Sequence, residues 1–118
     1  MARHNELGNM GEELAVAYLQ EQGYELLERN WRHSHSEIDI IARKEGVLHF
    51  IEVKSRSNDH FGFPEEGVDD KKLENLLLAS EAYLDAHPGF GEIQFDILSI
   101  LIPGNGKPDY FLIEDVYL

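Results

Sequence analysis

A chain of 118 residues, 42% of them apolar, carries enough apolar surface for one core, so a single domain spanning residues 1–118 is expected. It contains no cysteine, which excludes disulfides and thiolate zinc sites and leaves oxygen and imidazole as metal ligands, with magnesium or manganese as the natural ions. A net charge of −13 opposes strong nonspecific binding to a polyanion, no apolar run is long enough to cross a bilayer, and the start "MARHNELGNM" lacks the apolar segment of a secretory signal; the expectation is a soluble cytoplasmic protein with no membrane partner.

Along the chain, Leu7, Met10, Gly11, Leu14, Ala15, Tyr18 and Leu19 recur at three- and four-residue spacing, which predicts an amphipathic helix over about Asn5 to Gln22, ended by Gly23 and carrying Glu12. "YELLERNWR" suits a strand, and "RHSHS" reads as a polar loop rather than a histidine ligand pair of His33 and His35. Two clear strands follow, Glu37 to Arg43 and Val47 to Lys54, joined by a tight turn at Glu45-Gly46. "NDHFGFPEEG" is a loop. A second helix over about Asp69 to Ala86 places Leu73, Leu76, Leu77, Ser80, Tyr83 and Leu84 on one face, and "HPG" stops it. "EIQFDILSILI" and "DYFLIEDVYL" read as strands around the turn "PGNGKP", giving the order αββ(β)αββ of a mixed α/β fold. Trp31 and Phe61 are read as packing residues, and His49 as a packed or hydrogen-bonded histidine.

The charges inside the central hairpin raise the functional question. A two-residue turn centred on Glu45-Gly46 pairs Asp39 with Glu52 and Glu37 with Lys54, all on one face, while Ile38, Ile40, Val47, Ile51 and Val53 occupy the other. Both faces are largely apolar, so the strands are central and the acids at least partly buried. Opposed carboxylates in such a place are destabilising unless a cation lies between them. Lys54 supplies one positive charge; a divalent ion on Asp39 and Glu52, with the Val53 carbonyl as a further oxygen ligand, is the fuller compensation. An ordinary ion-pair ladder on a solvated face is the alternative. The chemistry suited to such parts is phosphodiester hydrolysis, in which a metal lowers the pKa of a water and a lysine orients it or stabilises developing charge. Glu12 is the candidate third carboxylate, with Glu37 as the alternate. Between Arg29 and Arg56 the chain is locally positive, with six basic residues (Arg29, Arg32, Arg43, Lys44, Lys54, Arg56) against four acids (Glu37, Asp39, Glu45, Glu52), and Arg32 is a candidate nucleic-acid contact.

"GEELAVAYLQEQGYELLERNWR", "EIDIIA", "FIEVKSR", "FG", Val68 followed by Lys72, and "FDI" together resemble the bacterial YraN family of uncharacterised endonuclease-like proteins, from about Asn5 to Ile100. That family is similar to archaeal Holliday-junction resolvases and to the PD-(D/E)xK nuclease superfamily. The resemblance implies a restriction-endonuclease-like fold, a central mixed β-sheet flanked by α-helices. It also implies that Asp39 and Glu52 bind a magnesium or manganese ion, that Lys54 is the catalytic lysine, that Glu12 and Glu37 complete the site, and that Arg56 and Lys72 contact phosphate. Ser36 stands where the family has a glycine before that glutamate, which restricts the backbone. The implied substrate is DNA, branched DNA included, for which a homodimer is suited. The competing reading is a non-catalytic adaptor that retains the fold and engages a protein partner through its acidic surface.

Overall fold

The computed structural model describes residues 2–57, 70–103 and 106–116. Its elements are α1 (Ala2–Glu21), β1 (Glu25–His33), β2 (Ser36–Lys44), β3 (Val47–Ser57), α2 (Asp70–Ala86), β4 (Glu92–Ile102) and β5 (Asp109–Ile113). The five strands form one sheet in the order β1-β2-β3-β4-β5. All neighbours are antiparallel except β3 and β4, which run parallel. A parallel pair needs a crossover, and α2 lies on it.

Helix α1 ends where its sequence says it should. Gly23 takes φ 95°, the Tyr24 N–H donates to Leu19 O at 2.9 Å and the Gly23 N–H to Gln20 O at 3.1 Å, which satisfies carbonyls that the helix leaves orphaned. The β2–β3 turn is equally local in origin. Glu45 and Gly46 both take positive φ, 52° and 82°, as a two-residue turn matching strand twist requires. The register that follows, Lys44 with Val47 through Ile40 with Ile51, is the one predicted from that turn.

Each face of the sheet is covered. On one side Ala15 and Leu19 of α1 pack with Ile40, Ala42, Ile51, Leu98 and Ile100. On the other, Ala79 and Tyr83 of α2 pack with Ile41, Leu48, Phe50 and Phe95. Burial on both faces accounts for the near-continuous apolar runs of β2 and β4. Gly11 sets the distance of α1 from the sheet: a Cβ there would meet Ser55 Oγ of β3 at 1.7 Å.

One expectation fails. Ile38 was placed on the face of Ile40 and Val53, yet it packs in the α2-side core with Ile41, Phe50 and Trp31. The switch coincides with an irregularity in β1, beyond the register shift between Leu26 and Glu28. Asn30 takes φ 53°, and the β1–β2 register pairs Arg29 with Ile40 and Trp31 with Ile38 but contains no Asn30–Asp39 pair. A left-handed residue inside a strand interrupts the pleat, and the alternation of β2 breaks opposite it, at Asp39.

Candidate metal centre where β2 and β3 part

The ladder between β2 and β3 stops at Ile40–Ile51. Beyond it the Val53 N–H donates to the Asp39 carboxylate, Oδ2 at 2.8 Å, instead of to a β2 carbonyl. The cross-strand pairs expected for Asp39 with Glu52 and Glu37 with Lys54 are therefore absent from the ladder, the Asp39 carboxylate taking the Val53 N–H in place of a backbone partner. Glu52 keeps its place in the sheet through β4, opposite Ile97.

Asp39 is half-buried, and its carboxyl is pushed up from 3.8 to about 6. Loss of water is the largest cause; the Val53 N–H pulls the other way, and the charges of Glu52, Glu37 and Glu12 each add to the rise. The four acids singled out in the sequence thus act on one point. Asp39 and Glu52 line a cleft of about 190 Å³ together with Glu37, Ser36 and, from α2, Asn75 and Leu76. That volume is below the few hundred Å³ usual for pockets enclosing a small organic ligand.

Each acid also has a basic or amide neighbour. Glu52 Oε2 is 3.8 Å from Lys54 Nζ, and both side chains are mostly buried, at 17% and 23% exposure. Glu37 sits 3.6 Å from Arg32 Nε at the surface. Glu12 Oε1 accepts from Asn30 Nδ2 at 2.8 Å and lies 3.5 Å from Arg29 Nη2, while the same Arg29 donates to Glu13 at 2.9 Å. Arg29 and Asn30 were not among the predicted site residues. The one signal for them is the turn-prone Asn30 within an otherwise strand-like segment.

The cleft thus gathers Asp39, Glu52 and Glu37, with Lys54 beside Glu52. Glu12 faces β1, in electrostatic reach of Asp39. Among the described residues no three histidine, aspartate or glutamate side chains stand close enough together to hold an ion. Of the predicted phosphate contacts, Arg32 is exposed and paired to Glu37, Arg56 is half-buried on β3, and the side chain of Lys72 on α2 lies outside the described residues. Phe61 also lies outside them.

The profile described as Uncharacterised protein family UPF0102 matches residues 11–100. The chain belongs to UPF0102. A UPF0102 protein of Bacteroides thetaiotaomicron is 48% identical over 101 residues, covering 86% of this chain and 84% of the relative. One from Flavobacterium johnsoniae is 44% identical over 104 residues, covering 85% of each chain. A UPF0102 protein of Syntrophomonas wolfei is 45% identical over 111 residues, 92% of this chain and 96% of its own. The UPF0102 match begins at Gly11, the residue that brings α1 against β3, and includes Glu12, Glu37, Asp39, Glu52, Lys54 and Lys72. No helix of the described residues is long and apolar enough to cross a membrane.

Proposed function

We propose that this UPF0102 protein is a metal-dependent nuclease of restriction-endonuclease-like fold that hydrolyses phosphodiester bonds in DNA, branched DNA among its substrates. One observation carries the reading: Asp39, where β2 and β3 part, has its carboxyl raised to about 6 by burial and by three neighbouring acids, beside a mostly buried Glu52–Lys54 pair. A buried cluster of that sign is stabilised by a cation, and such clusters concentrate at functional sites.

The donor set suits a hard dication. Asp39 and Glu52 would hold magnesium or manganese; one or two carboxylates with retained waters and substrate phosphate oxygens is the usual arrangement for magnesium, so a third converging acid is not required. The ion supplies Lewis acidity toward a phosphoryl oxygen and lowers the pKa of a water. Asp39 is oriented by the Val53 N–H, which donates to its Oδ2. Lys54 orients the attacking water and stabilises negative charge as the bond breaks. Glu12 and Glu37 add negative potential that favours the ion. Arg32 and Arg56 hold flanking phosphates, and a homodimer would present two such sites to a four-way junction.

A second reading, a non-catalytic adaptor with an acidic protein-binding surface, is favoured by the internal pairing of Glu12 with Arg29 and Asn30 and of Glu37 with Arg32. Cleavage separates the two. Purified protein is incubated with labelled junction, flap, single-stranded and duplex DNA plus manganese, beside Glu52→Ala and Lys54→Ala. The enzyme reading expects cleavage of at least one substrate by the unaltered protein alone, and cleavage no greater than that of the variants on every substrate overturns it.

A further inference from the structure

At the hairpin end of the sheet, on the α1 side, a second group of polar residues is built with no part in the cleft just described. His49 and Asp96 are buried, their side chains 6% and 0% exposed, with His49 Nδ1 2.7 Å from Asp96 Oδ2. The other oxygen of Asp96 accepts from Gln94 Nε2 at 3.0 Å and from the Asp115 N–H at 2.9 Å. With Oδ1 already accepting twice, Oδ2 is the acceptor that faces the ring, and this assigns the proton of the neutral imidazole to Nδ1. That leaves Nε2 as a lone pair. It has no hydrogen-bond partner among the described residues, and no buried side-chain nitrogen or oxygen among them lacks one. Nε2 therefore reaches open space, and the space is a pocket of about 270 Å³ lined by Tyr24, Lys44, Glu45, His49, Gln94 and Glu114.

The pocket is negative and aromatic. Tyr24 meets the His49 ring edge-on at 5.0 Å, and its hydroxyl is pushed up to about 12, first by burial and then by the charges of Asp96 and Glu114. Lys44 Nζ already lies over the Tyr24 ring, 4.9 Å from its centre, so that ring face accepts an ammonium group. Zinc, the dication that an imidazole nitrogen favours, takes three or four protein ligands, and the described residues bring no such trio together. An organic cation needs an acceptor for its N–H, a carboxylate near its charge and an aromatic face. His49 Nε2, the Glu45 and Glu114 carboxylates and Tyr24 supply these three.

We propose that this pocket binds an alkylammonium cation, a primary amine that donates to His49 Nε2 and takes the place of Lys44 over Tyr24. The shared chemistry is found in free diamines and in a lysine side chain of a partner protein. The proposal is independent of any nuclease activity.

The test is a titration of ¹⁵N-labelled protein with n-butylammonium chloride, followed through the His49 ring nitrogens, beside 1-butanol as the uncharged isostere and zinc chloride. Saturable movement of Nε2 with butylammonium alone is the expected result. Glu114→Gln should weaken the amine about threefold, as expected for one exposed charge, and Lys44→Met should strengthen it by clearing the competing ammonium. Both substitutions lie outside the buried pair, so the fold is retained. 1,4-Diaminobutane and N-acetyl-lysine amide then separate the two sources, and tighter binding of either supports the site. A silent His49 ring, an equal response to 1-butanol, or a response to zinc without one to the amine overturns it.

Discussion

Asp39 takes over the Val53 N–H that a ladder would have satisfied, and it does so while burial and three other acids oppose its charge. Its ordinary value of 3.8 applies to the unfolded chain and about 6 to the folded one, so the folded state binds the proton more tightly. Stability from this group is then full below about pH 4 and is lost as pH rises through 6, a change on the order of 3 kcal/mol. Asp39→Asn keeps an acceptor for Val53 and removes the ionisation. Thermal denaturation across pH 4–8 should show the variant more stable than the parent at pH 7.5 and flatter between 4 and 6, and a parent with no loss across that interval would count against the burial argument. Manganese should raise the melting temperature of the parent and leave Asp39→Asn unmoved. In Glu52→Gln the Asp39 carboxyl, followed by carbon-detected titration, should fall but stay above 3.8, since burial outweighs the neighbouring charge. The acids were legible in the sequence because charge inside an apolar strand is conspicuous. Asn30 and Arg29 were not, because their effect on Glu12 depends on a positive φ that no spacing rule reveals.

The elements show how far parity arguments reach. Counting outward from Glu45-Gly46 recovers every described β2–β3 pair, because a two-residue turn admits one register. The same count fails at Ile38 and at the Asp39–Glu52 pair, because it assumes an uninterrupted pleat along β2, and the alternation breaks at Asp39, opposite the left-handed Asn30. Apolar periodicity found α1 and α2, and the observed helices, Ala2–Glu21 and Asp70–Ala86, differ from the predicted spans mainly at the start of α1. Periodicity carries no information on how closely a helix approaches a sheet. Gly11 settles that for α1, since a Cβ would stand 1.7 Å from Ser55 Oγ and 2.9 Å from its Cβ. Gly11→Ala should therefore destabilise by about 1–3 kcal/mol in urea denaturation, despite the gain of about 1 kcal/mol that alanine brings to a helix interior. Ser55→Gly in the same chain should restore part of the loss. Equal destabilisation with and without Ser55→Gly would mean that the contact is not what limits the approach.

For the whole molecule, the balance of −13 over 118 residues is self-repelling at low ionic strength. Raising sodium chloride from about 20 mM to about 300 mM shortens the screening length from roughly 20 Å to under 10 Å, and should stabilise the fold by about 1 kcal/mol, a few degrees in melting temperature. DNA binding, as proposed, should respond in the opposite direction, and its slope would report how the molecule manages a polyanion at all. A protein that relies on a broad basic face loses affinity steeply with salt, whereas here Arg32, Arg56 and Lys72 are the candidate contacts, and Arg32 already lies 3.6 Å from Glu37. Three phosphate contacts correspond to a logarithmic slope of about −3. With manganese present and cleavage blocked by Lys54→Ala, adding Arg32→Ala should lower the slope to about −2, because one of the three proposed contacts is removed while Asp39 and Glu52 would still hold the ion. Fluorescence anisotropy with a labelled junction measures both. A slope steeper than about −6 would require a basic surface beyond these residues, such as one supplied by a second copy of the chain, whereas binding that vanishes on chelation of manganese would assign most of the affinity to the ion held by the carboxylates.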